Sequence, residues 1–327
     1  MWRGRTVTVH RAGVAVSVVV VGAGVAGTAC ARALVDSKVA VRVLERGHVP
    51  GGRMASKRYG DRRADIGAGY FTVSDDRFAA VVAQWREAGL AREWTDTLAV
   101  HDGSGWSSTT GPARWAAPGG LRSLVEHLAS GLDVRVRSAV EWVEPGPRVD
   151  GTAVDAVVLA MPGPQAARLL DPRLTAVRDA VDGQGWRPAL VATLEYPDRS
   201  WEDFKGVFVN DHPVLRAVFD DGSRRGDGAP VLVAHTGHEF AESFVADAPE
   251  AAADIEGAVR ELLTLPAAAR VHVHRWTFAT PTTPNPAPFF LGDDLVGVAG
   301  DAWGSPKVET AWLSGTLLGR ALAEKLA

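Results

Sequence analysis

The stretch SVVVVGAGVAGTACARAL, residues 17 to 34, has two readings, and the fold follows from the choice between them. Arg3, Arg5 and Arg11 precede it and no charge occurs from Ala12 to Ala31, the pattern of a secretory signal or a membrane anchor. The same letters describe a buried strand that runs into a glycine turn and a helix, the opening of a dinucleotide-binding unit. Residues 16 to 21 are mostly Val, β-branched and suited to a strand buried on both faces. Signal and membrane helices are usually rich in Leu, and the first Leu of this chain is Leu34.

The residues beyond the strand support the nucleotide reading. Gly22, Gly24 and Gly27 stand in G-x-G-x-x-G register, a helix comes next, and a second apolar strand, VAVRVL, ends in Glu45, about twenty residues beyond the glycines. Each part has a task. Gly22 permits the tight turn, Gly24 lets backbone approach a pyrophosphate, and Gly27 lets the helix pack on the strand. The helix N-terminus offers free N–H groups to phosphate, and Glu45 can accept hydrogen bonds from ribose hydroxyls. Residues 1–13 are then an N-terminal extension, and Cys30, on the first helix, is a packing residue.

Composition narrows the function. With 35 basic and 39 acidic residues the net charge is -4, so no broad basic field attracts nucleic acid or an anionic membrane. A small-molecule substrate is expected. The single cysteine excludes an internal disulfide and any multi-cysteine metal site, which fits a reducing, cytoplasmic setting.

After Glu45 the chain does not simply continue into further βα units. It reads ERGHVPGGRMASKR and then ADIGAGYFT. Gly51 and Gly52 can bring N–H groups close to a bound group and Arg53 offers a planar fork for phosphate, although a basic surface loop reads the same way. Near the C-terminus LVGVAGD reads as a buried strand ending at Gly300 and Asp301, and a helix begins near Val308. A helix N-terminus aimed at a bound group would stabilise negative charge on it; a Gly-Asp turn before a surface helix is the plainer alternative.

These segments resemble the FAD-dependent amine oxidase superfamily, and within it the renalase-like flavoproteins. The resemblance rests on VVVGAGVAG, Glu45, GGRMASKR, DIGAGYFT, PGGLRSLVEHLA, VVLAMPGPQ, HRWTFATP and GVAGDAWGSPKVETAWLSG, which run from about residue 16 to the C-terminus. It implies an α/β chain: an FAD-binding Rossmann-like domain of the glutathione reductase and amine oxidase type, with an inserted α+β substrate domain. The FAD domain is expected from residues 14–72, 112–165 and 286–327, and the substrate domain from residues 73–111 and 166–285. FAD is expected to be non-covalent, with Val140 near the adenine and Gly300 and Asp301 near the ribityl and phosphate portion. Ala26, Arg46, Met54, Gly67, Ala68, Val308, Glu309, Thr310 and Ala311 complete the cofactor set that the resemblance implies.

The rest of the chain is compatible with that layout. SDDRFAAVVAQWREAG reads as an amphipathic helix with Ser74 as N-cap and Gly89 as stop, and GGLRSLVEHLASG as another. VRVRSAVEWV and AVDAVVLAMP read as strands on either side of a turn-rich EPGPRVDG. Between about 185 and 280 the strand-like ALVATLEY, GVFVN, LRAVFD, PVLVAHTG and RVHVHRWTF imply a separate sheet. His235, His238 and Glu239, or His272 with His274, have no recognised metal spacing, so no metal is expected. Arg224 and Arg225 in DDGSRRGDG read most simply as a solvated loop, or as ligands of a substrate phosphate.

Renalase-like enzymes oxidise 2- and 6-dihydro isomers of NAD(P) by hydride transfer to FAD, with O2 as electron acceptor, forming NAD(P)+ and H2O2. The resemblance therefore implies Tyr70 and Trp276 against a nicotinamide, His235 orienting its carboxamide and Arg216 as a polar anchor. Family members usually carry Gln before this Tyr, whereas this chain has Gly69. An oxidase of amines or other specialised metabolites, and a flavin-binding protein without turnover, are the alternatives.

Overall fold

The computed structural model describes residues 18–201 and 204–327; the expected N-terminal extension, residues 1–13, lies outside the described residues. Two sheets organise the chain, and the functional cleft lies between them. The first has six strands in the order Phe290–Leu291, Val296–Val298, Ala156–Leu159, Val18–Val21, Val41–Glu45, Asp133–Val136. All its pairings are parallel except that of the edge strand Phe290–Leu291. Its central strands are buried on both faces, which is why they read as unbroken apolar runs.

Val18, Val20, Ala156 and Val158 face the helices Val25–Asp36, Arg122–Ala129 and Val308–Leu326. Val19, Val21, Val157 and Leu159 face the opposite layer, which carries the helices Gly163–Ala167 and Thr175–Asp182. This doubly wound arrangement depends on close approach by small residues. A Cβ on Gly27 would sit 1.9 Å from the Gly22 carbonyl oxygen, and one on Gly315 would sit 1.9 Å from that of Ala26. The first and last helices therefore touch backbone to backbone.

The second sheet has seven strands in the order Arg270–Pro281, Trp186–Glu195, Val231–Thr236, Leu215–Asp220, Gly206–Val209, Arg92–His101, Trp106–Ala116. One face packs through Leu190, Ala192, Leu194, Val218 and Leu232 onto the helix Ala252–Leu263. The other face, with Val191, Ala217 and Phe219, looks toward the first sheet. The long hairpin Arg92–Ala116, not read from the sequence as strands, extends this sheet.

Local details also differ from the sequence reading at Ser74 and along VRVRSAVEWV. The helix Asp76–Glu87 is capped by Asp75, whose carboxylate accepts from the Arg77 N–H, and not by Ser74. Ser74 instead donates its hydroxyl to Glu309, 2.6 Å away in the last helix. The expected strand VRVRSAVEWV is two pieces, Asp133–Val136 and Val143–Glu144, the second in a small three-stranded meander that includes the turn-rich EPGPRVDG. No described helix is long and apolar enough to cross a membrane.

Candidate active site

A cavity of about 1380 Å³ runs between the two sheets, along the C-terminal ends of the parallel strands. That is where ligands bind in open α/β sheets. Its nucleotide end is made by the elements read from the sequence. Gly22, with φ of 106°, makes the turn out of the first strand. Gly24 and Gly52 pack backbone against backbone in the cavity wall: a Cβ on Gly24 would have only the Gly52 Cα nearby, at 3.8 Å, and one on Gly52 would lie 3.1 Å from the Gly24 Cα. The first helix starts at Gly24 with no side-chain cap and no acidic residue in its first turn, so its N–H groups are left for an anion.

Glu45 closes this end. Its Oε2 accepts from the Ala23 N–H at 2.8 Å and its Oε1 from the Gly47 N–H at 2.7 Å, which fixes the carboxylate with further lone pairs free. The segments after it sit back to back. The Gly51 N–H donates to the Ala23 carbonyl, and the Ala68 N–H to the Arg53 carbonyl, where a Cβ on Gly67 would lie 1.9 Å from the same oxygen.

Most of the sequence-predicted cofactor residues line this one cavity: Gly22, Gly24, Ala26, Glu45, Arg46, Gly52, Arg53, Met54, Gly67, Ala68, Val140, Gly300, Asp301, Val308 and Ala311. Gly27, Glu309 and Thr310 do not line it. Gly27 is the packing glycine already described. The Glu309 carboxylate, 4% exposed, accepts from Ser74 and Asp75 N–H groups and from the Ser74 hydroxyl, so it ties the 74–75 loop to the last helix. The Thr310 hydroxyl donates to the Ser305 carbonyl. Arg53 is not a free fork for phosphate. Its guanidinium grips Asp301 through two hydrogen bonds, of 2.8 and 2.5 Å, and stacks over Trp186.

The four residues expected at the substrate end also meet here. Tyr70, Arg216, His235 and Trp276 line the cavity from the 67–72 loop and three strands of the second sheet. Trp276 is held by its indole N–H, which donates to the Ile66 carbonyl at 2.6 Å, and by the His274 ring at 4.7 Å. Tyr70 packs edge-on against Phe219. Phe219 also explains Gly69. A Cβ there would lie 2.6 Å from the Phe219 ring, so the aromatic residue occupies the space that a side chain before Tyr70 would need.

His235 is kept neutral. Burial, and then the charge of Arg224, push its pKa down to about 3, and its Nε2 is buried without a partner. Because the folded pKa lies below the unfolded 6.5, the unfolded chain binds the extra proton as pH falls. The stability tied to neutral His235 is therefore complete above about pH 6.5 and is lost progressively toward pH 3. Urea midpoints measured down to pH 4 should fall more steeply for the native chain than for His235→Gln. Equal slopes would mean that this imidazole titrates normally.

The DDGSRR segment is the clearest departure from the sequence reading. It is not a solvated loop but a buried helical turn, Asp221–Arg225. Arg224 and Asp221, both 0% exposed, form an ion pair, Arg62 binds the other Asp221 oxygen, and Arg224 donates to the Gly69 carbonyl at 2.7 Å. Arg62 and Gly69 come from far along the chain, so local polarity could not reveal this burial. His272 stacks on Tyr59, and among the described residues no group of three or more His, Cys, Asp or Glu comes together as a metal site.

The comparisons with known proteins agree with this geometry. Residues 20–85 match a family model described as an NAD(P)-binding Rossmann-like domain, and residues 87–317 match one described as flavin containing amine oxidoreductase. Among solved structures, a putative protoporphyrinogen oxidase from Exiguobacterium sp. 255-15 superposes with a TM-score of 0.75 at 14% identity, covering 96% of this chain and 100% of its own. Cyclohexylamine oxidase from Brevibacterium oxydans gives 0.73 at 13% identity, covering 95% and 99%. Putrescine oxidase bound to putrescine gives 0.68 at 15% identity, covering 95% and 98%. Identities of this size speak for a shared fold.

Proposed function

Because the chain belongs to the flavin-containing amine oxidoreductase family and is an FAD-dependent oxidoreductase, we propose that it is a renalase-like oxidase of 2- or 6-dihydronicotinamide dinucleotides. The overall reaction is dihydroNAD(P) plus O2 and a proton giving NAD(P)+ and H2O2. The observation that carries this reading is His235: a half-buried imidazole, held neutral, whose Nε2 has no partner, on the cavity wall that also carries Trp276. A carboxamide both donates and accepts hydrogen bonds and suits such a partner.

The residues fit FAD. The bare backbone of Gly24 and Gly52 in the cavity wall, the uncapped first helix and Gly300, where a Cβ would meet nothing within 4 Å, suit a pyrophosphate and ribityl chain. Glu45 would hold the adenosine ribose and Val140 the adenine. The N-terminus of the last helix, also without a side-chain cap, would face the ring. Bound FAD supplies a two-electron acceptor for hydride. The chain's own residues position the donor. Trp276 and Tyr70 sandwich a flat ring, His235 sets its rotation, and the sheet excludes water.

The amine-oxidase reading draws on the fold shared with putrescine and cyclohexylamine oxidases. Against a diamine stands the cavity's charge. Its only carboxylates among the described residues are Glu45 and Asp301, both at the cofactor end and both hydrogen-bonded.

The test is anaerobic mixing of the flavoprotein with 2- and 6-dihydroNAD(P), ordinary NAD(P)H and a panel of amines. Rapid bleaching by a dihydro isomer, reversed by oxygen with peroxide formed, is the expected result. Bleaching by an amine alone would replace the substrate, and bleaching by no donor would leave a flavin-binding protein without turnover. Trp276→Ala should retain FAD but slow bleaching by about 100-fold, through loss of the stacking surface that orients the donor. An unchanged rate would make Trp276 a packing residue only.

A further inference from the structure

The cavity wall contains a second guanidinium that the proposed reaction does not use. Arg114 is 7% exposed, and its Nη1 donates to the Asp96 carbonyl. Its guanidinium lies over the rings of Tyr70, at 5.4 Å, and Phe208, at 5.7 Å. Its Nε is buried and has no partner. Among the described residues it forms no ion pair. A buried cation with an unused donor is costly unless something pairs with it, and nothing in its own surroundings does.

A sheet irregularity aims one cavity arginine and flanks the other. In the strand Leu215–Asp220, Leu215 opposes Thr236 and Ala217 opposes His235, so Arg216 is an extra residue in a β-bulge. Regular alternation would put Arg216 on the face of Val218, which packs against the helix Ala252–Leu263. The bulge shifts the phase: Leu215 takes the core face, and Arg216 lines the cavity beside Ala217. Arg114 keeps step with Ala116, two residues on, which shares the face of Ala217 and Phe219, and it is flanked by an irregular stretch in which residues 111 to 113, including Pro112, stand opposite Asp96 alone. The two sites are linked through Phe208, which stacks under Arg114 and lies cross-strand from Ala217.

We propose that Arg114 and Arg216 form an anion subsite at the Phe208 end of the cavity, which takes an acidic group, phosphate or carboxylate, borne by the substrate. Arg114 presents its charge in a fixed position, stacked and hydrogen-bonded in advance, so little entropy is lost when the anion arrives. Arg216, exposed and free to swing, closes on it. The subsite makes the enzyme selective for acidic donors over neutral or cationic ones. In this form it rests on the proposal that a flat donor lies against Trp276 and Tyr70, and it fits a donor whose reacting ring is tethered to phosphate.

The test is calorimetric titration of the FAD-loaded protein with two ligand pairs that differ in the acidic group: nicotinamide mononucleotide against nicotinamide riboside, and benzoate against benzamide. The native protein should prefer the acidic member of at least one pair by about tenfold or more, and the pair concerned tells phosphate from carboxylate. Arg216→Gln and Arg114→Gln should each reduce that preference to about threefold or less, with the neutral or riboside ligand bound as before. Arg216→Lys should restore part of it. Because Arg216 is exposed, its variants stay informative even if Arg114→Gln fails to fold.

Equal affinity within both pairs in the native protein, or a preference untouched by Arg216→Gln, would overturn the subsite. If only the benzoate pair binds and its preference disappears in the variants, the subsite stands and the nicotinamide reading falls. If the mononucleotide and riboside bind alike and benzoate and benzamide show no preference either, the nicotinamide reading survives without the subsite.

Discussion

Gly24→Val is expected to give a folded protein that purifies without flavin, whereas Gly27→Val, three residues on, is expected to lose the fold. The difference is one of free space. A Cβ on Gly24 points into the cleft, with the Gly52 Cα at 3.8 Å as its nearest neighbour, so the added side chain occupies the volume that a pyrophosphate needs and disturbs little else. A Cβ on Gly27 would be 1.9 Å from a backbone oxygen of Gly22, and only movement of the helix or the strand could relieve it. That should cost about 3 kcal/mol or more, before any loss of stabilisation by the cofactor. Visible absorbance reads the first effect, and thermal unfolding of both variants after flavin removal reads the second. A normal flavin content in Gly24→Val would remove the pyrophosphate from this turn, and equal stability of the two apo-proteins would remove the packing argument.

Arg224→Ala should be the most damaging change outside the glycine turn. The guanidinium pairs with the buried Asp221 and donates to the Gly69 carbonyl, so its removal strands an acceptor and leaves a buried carboxylate with Arg62 alone. Breaking a buried pair on one side costs about 3 to 5 kcal/mol, more than the pair itself contributes, because the remaining charge is left unsolvated. Denaturant unfolding of the variant measures this directly. A loss below about 1 kcal/mol would mean that water replaces the guanidinium. The same substitution removes the charge that helps to keep His235 unprotonated, so the His235 pKa should rise, although burial, the larger cause, remains.

These cases show where sequence reading reaches and where it stops. The strand, the glycine turn, the first helix and Glu45 lie within one short run, and each interacts mainly with the others, so their arrangement was legible. The 51–54 and 67–70 segments line the cavity. For Arg53, however, the fork faces Asp301, a residue 248 positions away. Ser74 looked like a helix cap because Ser and Asp are both good caps, and the choice fell to Asp75 once Glu309 drew the Ser74 hydroxyl. The buried turn Asp221–Arg225 looked like solvated loop because its charges are neutralised by partners that no local pattern contains.

By itself, then, the sequence determined the α/β class, the nucleotide unit and the small-molecule character of the chain, since these depend on local periodicity, glycine chemistry and overall charge. Tertiary structure alone decided which side chains of the seven-stranded sheet face the substrate. Strand alternation assigns faces only when register is regular, and here a bulge shifts the phase, bringing Arg216 to the same cavity as Arg114, His235 and Trp276. A bulge is a relation between two strands, and it becomes visible only when both are in place.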